Sequence, residues 1–300
     1  MKAYLLLSRM HIHNANAMSS TITIGVPAMT AWLGAVHALE RKTKEKEKQA
    51  LEDVGFKGVA VSYHKADLQV YKGAGDYVNS IIGTANPLDK NGERPPFIGE
   101  PRIHLLVSLL IEVKGVNGDN IELFEQTVKD ILPRIKMAGG DILDIGKIKV
   151  MFANQDKSDE IKKVIFSLAP GWVPIERTDL MEAEGMEGED GLDRLLHYLK
   201  VHGTAEKDEF GKVKSWKYER ETGGWLVPIA IGFKGLSPLG KVKNQRDPDT
   251  PHRFAETIVT LGEFKMVHRF KNIDEMMWHY VYEENNQLYL CKNNRNQGGY

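Results

Sequence analysis

Two histidines two residues apart, His11 and His13, stand in the stretch "SRMHIHNANAMSSTITIG". A metal centre would need a third ligand at fixed spacing. No H-E-x-x-H motif is present, and the sole cysteine is Cys291. General acid–base catalysis would need an imidazole beside a scissile phosphate, as in a metal-independent endoribonuclease. The third option is recognition without reaction, in which strand-end imidazoles hydrogen-bond backbone or stack on a base. Arg9 precedes the pair, and Asn14, Asn16, Ser19 and Ser20 follow it. Amides and hydroxyls both donate and accept, which suits unstacked bases and the ribose 2′-OH. Asn14 or Asn16 could equally cap a turn through its side chain.

Two further stretches carry candidate binding residues. In "MAGGDIL" (Met137, Gly139, Gly140), a glycine could end a helix in the left-handed conformation. It could also let backbone lie close to a phosphate or base. "GKVKNQRDPDTPHR" sets Lys241, Lys243, Arg246, His252 and Arg253 against Asp247 and Asp249. Bases beside glycine and amides suit phosphate contacts, although such loops are often only solvated. There is no P-loop and no dinucleotide G-x-G-x-x-G. Of the two H-x-[ST] motifs a two-histidine phosphoesterase needs, only His202-Gly-Thr204 is present. No cofactor and no metal are expected.

The elements that position these residues follow from the apolar pattern. "AYLLLSRMHI" reads as a strand in which Met10 and Ile12 oppose His11 and His13. "PAMTAWLGAVHALER" is an amphipathic helix opened by Pro27. "FKGVAVSYH" and "DLQVYKG" are a strand pair or one bent strand, and residues 73–100 turn rich in Gly, Pro and Asn. "RIHLLVSLLIEV", apolar on both faces, predicts a central strand. "NIELFEQTVKDILPRIK" predicts a helix that Pro133 loosens, and a strand follows the glycine pair. That order matches an α+β, ferredoxin-like (RNA-recognition-motif-like) body with an expanded connection between its middle strands. Residues 1–155 would be this body. Residues 156–222 would be an irregular, acidic helical insertion, and 223–300 a C-terminal αβ segment completing the body. Residues 176–193 hold eight acids against Arg177 and predict a face turned to solvent or a basic partner. "NIDEMMWHYVYEE" predicts a helix from Met277, Tyr280 and Val281.

The totals bound the class. Apolar residues make up 42% of 300, enough to bury a core, and a formal charge of −1 decides nothing about a polyanionic partner. One cysteine excludes an intramolecular disulfide framework and fits a reducing cytosol. No signal pattern opens the chain, and no segment reaches the roughly 18–20 apolar residues of a membrane span. A cytoplasmic protein with no membrane partner is expected.

Several of these stretches together resemble one family. "LLLSRMHIHNANAMSS", "AWLGAVHALER", "RIHLLVSLL", "MAGGDIL", "GWLVPIAIGFKGLSPLG" and "VKNQRDPDTPHRFAETIVTLGEF" are similar to the Csy two family of the type I-F CRISPR-Cas surveillance (Csy) complex. These are Cas five-type proteins of the RAMP superfamily. The resemblance implies a non-catalytic subunit that binds the 5′ handle of the CRISPR RNA. It implies pairing with the large subunit that reads the protospacer-adjacent motif (PAM), contact with the first copy of the backbone subunit, and target DNA nearby. It implies a thumb-like insertion, which this chain would carry at 73–100. The family pattern has a basic residue and an amide where this chain has His11 and His13, so these would be donors rather than catalysts. A purely structural adaptor is the other alternative to the endoribonuclease.

Overall fold

The computed structural model describes residues 1–293, apart from positions 82, 85, 86, 95, 97, 184–189 and 246. Strand β1 (Lys2–Asn16) leads through the small pair β2 (Met18–Ser20) and β3 (Thr23–Ile24) into helix α1 (Met29–Lys46). Strand β4 (Gly55–Leu68) follows. Residues 69–101 then hold four two-residue strands: β5 (Val70–Tyr71), β6 (Ser80–Ile81), β7 (Gly83–Thr84) and β8 (Ile98–Gly99). Next come β9 (Arg102–Lys114), α2 (Ile121–Ile131), β10 (Lys136–Met137), β11 (Gly140–Asp144) and β12 (Lys147–Ala153). Pro133 ends α2 in a 3-10 turn, Leu132–Arg134, because its ring cannot continue the helical hydrogen-bond ladder.

These strands form the α+β sheet in the order β12-β1-β9-β4, each antiparallel to its neighbour. Alternation sorts their side chains between two cores. Leu5, Leu7, Val59, Val61, Leu109 and Ile111 face one way, with Trp32 of α1 and Phe124 of α2. Tyr4, Leu6, Ala60 and Leu110 face the other way, with Val164, Ile165 and Met277. Both faces are covered, which is why these strands read as unbroken apolar runs.

The second half holds α3 (Ser158–Phe166), β13 (Trp172–Glu176), α4 (Thr178–Met181), α5 (Gly191–Leu199), β14 (His202–Lys207) and β15 (Val213–Glu219). After these come β16 (Trp225–Gly235), β17 (Ala255–Met266), β18 (Trp278–Glu283) and β19 (Leu288–Asn293). The pairings run from β4 to β13, β17, β16, β19 and β18, and from β18 back to β4, closing a circuit of six strands. β4 belongs to both the first sheet and this circuit.

The structure corrects two expectations. "NIDEMMWHYVYEE" is a 3-10 turn, Asp274–Met276, and then strand β18 rather than a helix. Met276, Met277 and Trp278 are buried in succession because the two methionines pack into the second core and Trp278 into the first. Residues 156–222 are not helical throughout. They include β13, which pairs with β4 and β17 in the main sheet, and the exposed hairpin β14–β15. The acids of 176–193 are also partly structural. Glu176 is buried beside Lys292, Asp179 grips Arg177, and Asp190 with Asp193 forms the capping box of α5.

Candidate nucleic-acid interface

Strand β1 is bent twice where the expected site lies. Its register with β9 shifts between Leu7 and Met10 and again between Ile12 and Ala15. Arg9 and Asn14 sit at these shifts with φ of 52° and 56°. Left-handed backbone at non-glycine residues is uncommon, and bulges of this kind re-aim side chains. Met10 and Ile12 point into the core, His11, Asn14 and Asn16 are exposed, and Arg9 and His13 are half-buried.

A hydrogen-bonded chain holds the first bend. The Arg9 N–H donates to Ser108 Oγ at 2.9 Å, Ser108 Oγ lies 2.7 Å from His64 Nε2, and His64 Nδ1 meets the Pro170 carbonyl. Burial, with the nearby Arg9 charge, holds the His64 pKa below the usual histidine range. A neutral imidazole fits this chain, donating from Nδ1 and accepting at Nε2. At the second bend the Asn14 N–H donates to His104 Nδ1 at 3.1 Å. The His13 and His104 rings stack, with centroids 4.2 Å apart. Burial first, then the His13 charge, lowers the His104 pKa. His13 is thus packed against a ring of its own chain.

The polar loop divides into structural and available groups. Asn16 closes a turn, since Oδ1 accepts from the Met18 N–H at 3.1 Å and Nδ2 donates to the Met18 carbonyl at 3.2 Å. Ser19 and Ser20 hydroxyls lie 2.8 and 2.6 Å from Thr23 Oγ1. Ser20 is buried, so its hydroxyl steadies the β2–β3 pair. Asn14 has no side-chain partner among the described residues.

"MAGGDIL" is not a helix end. Ala138 and Gly139, with φ of 50° and 81°, form the two-residue turn between β10 and β11. Met137 is fully buried, so only the turn's backbone could approach a ligand. The turn abuts the polar loop, with the Asn16 N–H donating to the Ala138 carbonyl at 3.0 Å. A Cβ on Gly140 would lie 2.6 Å from the His13 carbonyl oxygen and 2.7 Å from Ala15 N. Gly140→Ala should therefore destabilise the protein by about 1–3 kcal/mol. Urea denaturation would measure it, with Gly25→Ala as a control because nothing lies within 4 Å there. An unchanged Gly140→Ala midpoint would show that β1 and β11 can separate freely.

An open cleft of about 730 Å³ begins at this loop. Asn16, Met18, Ser19 and Ser20 form one wall, His37 and Arg41 of α1 another, and Phe233, Tyr280 and Tyr289 the third. The Tyr280 and Tyr289 rings pack 5.1 Å apart. Burial and their mutual hydrogen bond push the Tyr280 hydroxyl well above the usual tyrosine range, so it stays neutral. The sequence reading missed all five of these aromatic and basic residues. His37 and Arg41 are four apart on a recognised helix, and that spacing was the signal available.

The basic loop extends the β16–β17 hairpin two residues beyond Phe233 and Thr257, which line the cleft. Gln245 organises it, accepting from the Val242 N–H at 2.7 Å and donating to the Asp247 carbonyl at 2.6 Å. Lys241 and Lys243 are exposed. Arg253 folds over Gly235, and its buried Nε has no hydrogen-bond partner among the described residues. Arg246 lies outside the described residues. Among those described, no three His, Cys, Asp or Glu side chains are grouped so as to hold a metal ion, and no helix is long and apolar enough to cross a membrane.

The family model described as CRISPR-associated protein (Cas_Csy2) matches residues 5–291. This chain belongs to the Csy2 family. It is 30% identical, over 316 aligned positions, to CRISPR-associated protein Csy2 of Pseudomonas aeruginosa (strain UCBPP-PA14). That alignment covers 96% of this chain and 94% of the relative. The Csy2 match runs from β1 to β19. It therefore spans the bent strand, the cleft walls and the basic loop alike.

Proposed function

We propose that this chain is a non-catalytic subunit of a type I-F CRISPR RNA-guided surveillance complex and that it holds the 5′ handle of the CRISPR RNA. The cleft carries this reading. It combines amide and hydroxyl groups of the polar loop, a tyrosine pair, and the Arg41 cation on α1, with the basic loop extending from its rim. Splayed bases would stack on Phe233, Tyr280 and Tyr289. His11, Asn14 and Ser19 would bond bases and sugars, and Arg9, Arg41, Lys243, Arg246 and Arg253 would meet phosphates. Packing of His13 on His104 supports a positioning role over proton transfer.

The body would be of the RAMP, ferredoxin-like kind. The order β12-β1-β9-β4, with α1 joining β1 to β4 and α2 joining β9 to β12, supports this. Residues 73–100, between the middle strands, would be the thumb that presses on the RNA. The remaining surface would pair with the large, PAM-reading subunit and the first backbone subunit, with target DNA nearby, in the cytoplasm.

Reversing Lys243 and Arg246 to glutamate should strip the RNA from the assembly that purifies with this chain, as read by extraction and gel. RNA retained at the wild-type level would sink the proposal and favour a purely structural adaptor. The wild-type chain should also leave its cognate repeat RNA intact without added metal. Cleavage that disappears in His13→Ala would replace the proposal with an endoribonuclease.

A further inference from the structure

The hairpin β14–β15 stands off the rest of the fold. Every residue of β15 is exposed, and so is every residue of β14 except Ala205. Two strands alone are marginally stable in water, so such a ribbon commonly acquires a covering partner. Cross-strand partners share a face, and the register sorts this ribbon into two unlike sides. Gly203 opposite Tyr218, Ala205 opposite Trp216, and Lys207 opposite Val213 make one face. His202 opposite Glu219, Thr204 opposite Lys217, and Glu206 opposite Ser215 make the other.

The acids lie on the second face and are engaged there. Glu206 accepts from Ser215, and Glu219 pairs with Lys217. Of the two tip acids, Asp208 is occupied, its Oδ1 accepting from the N–H groups of Phe210 and Lys212 at 3.0 and 2.9 Å, while Glu209 is exposed at the turn, off the two strands. The first face carries Lys207 and no acid, with Lys214 at the register shift beside it. Its aromatics lie over small residues. A Cβ on Gly203 would meet the Tyr218 ring at 3.3 Å and the Trp216 ring at 3.7 Å. The rings therefore reach across the ribbon and lie close over Gly203. Trp216 is 56% and Tyr218 68% exposed, and Phe210 at the tip is 93% exposed.

We propose that this aromatic face binds a single-stranded nucleic acid, with bases stacked on Trp216 and Tyr218 and phosphates met by Lys207 and Lys214. Stacking platforms flanked by cations are the sequence-tolerant chemistry of single-strand binding. Charge decides against a protein occupant. Lys207 and Lys214 share the side with the rings, the strand carboxylates Glu206 and Glu219 are held on the reverse with Lys217, and the only aliphatic side chains beside the rings are Ala205 and Val213. RNA and single-stranded DNA offer the same bases and phosphates. This surface is separate from the cleft, so the inference does not rest on the handle-binding reading.

The test uses the full chain and two fluorescent probes, oligo-uridine RNA and oligo-thymidine DNA of about 20 nucleotides. Trp216→Ala with Tyr218→Ala should weaken binding of one or both probes by about tenfold or more in anisotropy titrations. Lys207→Glu with Lys214→Glu should make the logarithmic salt slope shallower by about one to two. A loss confined to RNA assigns RNA as the occupant, and a loss for both assigns single strands generally. Unchanged binding of both probes in both double variants overturns the inference, as does loss of a co-purifying protein with nucleic-acid binding intact. Should the aromatic double variant melt early, the exposed lysine variant decides by itself. Arg41→Glu, run in parallel, addresses the cleft, so failure at the hairpin leaves that reading standing.

Discussion

Replacing Trp278 with alanine is expected to lower stability by about 3–5 kcal/mol, the usual range for removing a fully buried large aromatic. Trp278 has no exposed surface. Its indole N–H donates to the Pro174 carbonyl at 3.0 Å, tying β18 to β13. Its backbone pairs with Val59 of β4 and Asn293 of β19. One residue of β18 is thus tied to three of the other five strands in the closed circuit. Urea or thermal unfolding would measure the loss. Trp278→Phe retains most of the volume and should lose only the hydrogen bond, about 1 kcal/mol. A Trp278→Ala protein as stable as wild type would mean that the β18–β4 contact contributes nothing to holding the circuit shut. Because Tyr280 follows two residues later in the same strand, the alanine variant should also disturb the cleft.

Removing Arg177 should be comparably severe. Its Nη1 donates to Glu263 Oε2 at 2.7 Å, and both side chains are 11% exposed. Its other edge grips Asp179 through Nε and Nη2, each at 2.8 Å. The Asp179 hydrogen bond, opposed by burial and helped by Glu263, raises the guanidinium pKa further. Arg177→Met leaves the Glu263 carboxylate buried without its counter-charge, which typically costs about 3–5 kcal/mol. Adding Glu263→Gln should recover part of that loss, because a neutral amide needs no counter-charge. A double-mutant cycle by chemical denaturation checks it. Equal stability of the single and double variants would show that Glu263 is served by other groups.

Much of the fold was legible where one local pattern decided it. The runs around β1 and β9 and the apolar faces of α1 and α2 specify those elements directly, because burial on two faces and on one face leave different periodicities. The misreadings lie where distant partners decide. Met277, Tyr280 and Val281 are spaced like a helix face, yet β4 and β19 draw the segment into a strand. The glycine pair after α2 suggested a helix end, but the left-handed residues are Ala138 and Gly139 in a hairpin turn. In the candidate site, the alternation around His11 and His13 placed both on the outer side of β1. The bend at Arg9 was not readable, because arginine does not announce a positive φ, and at Asn14 the one signal was asparagine's tolerance of the left-handed region. Asn16 has the capping role that was its structural alternative. The tyrosine wall was invisible because it comes from two strands that meet the polar loop only after the circuit closes.

That closure also has a consequence for how the molecule is made. Lys57 and His279 are hydrogen-bonded at 3.1 Å although 222 positions apart in the chain. The sheet of β1, β4, β9 and β12 has all its strands once residue 153 has been synthesised. The outer edge of β4, however, waits for β13 and β18. During translation that edge presents unpaired backbone groups, a template for pairing with another nascent chain. A ribosome pausing between β12 and β18 would prolong the interval, and long-range pairings of this kind are slow to form. Yield of this protein should therefore depend on how quickly its second half is translated as well as on the stability of the finished fold.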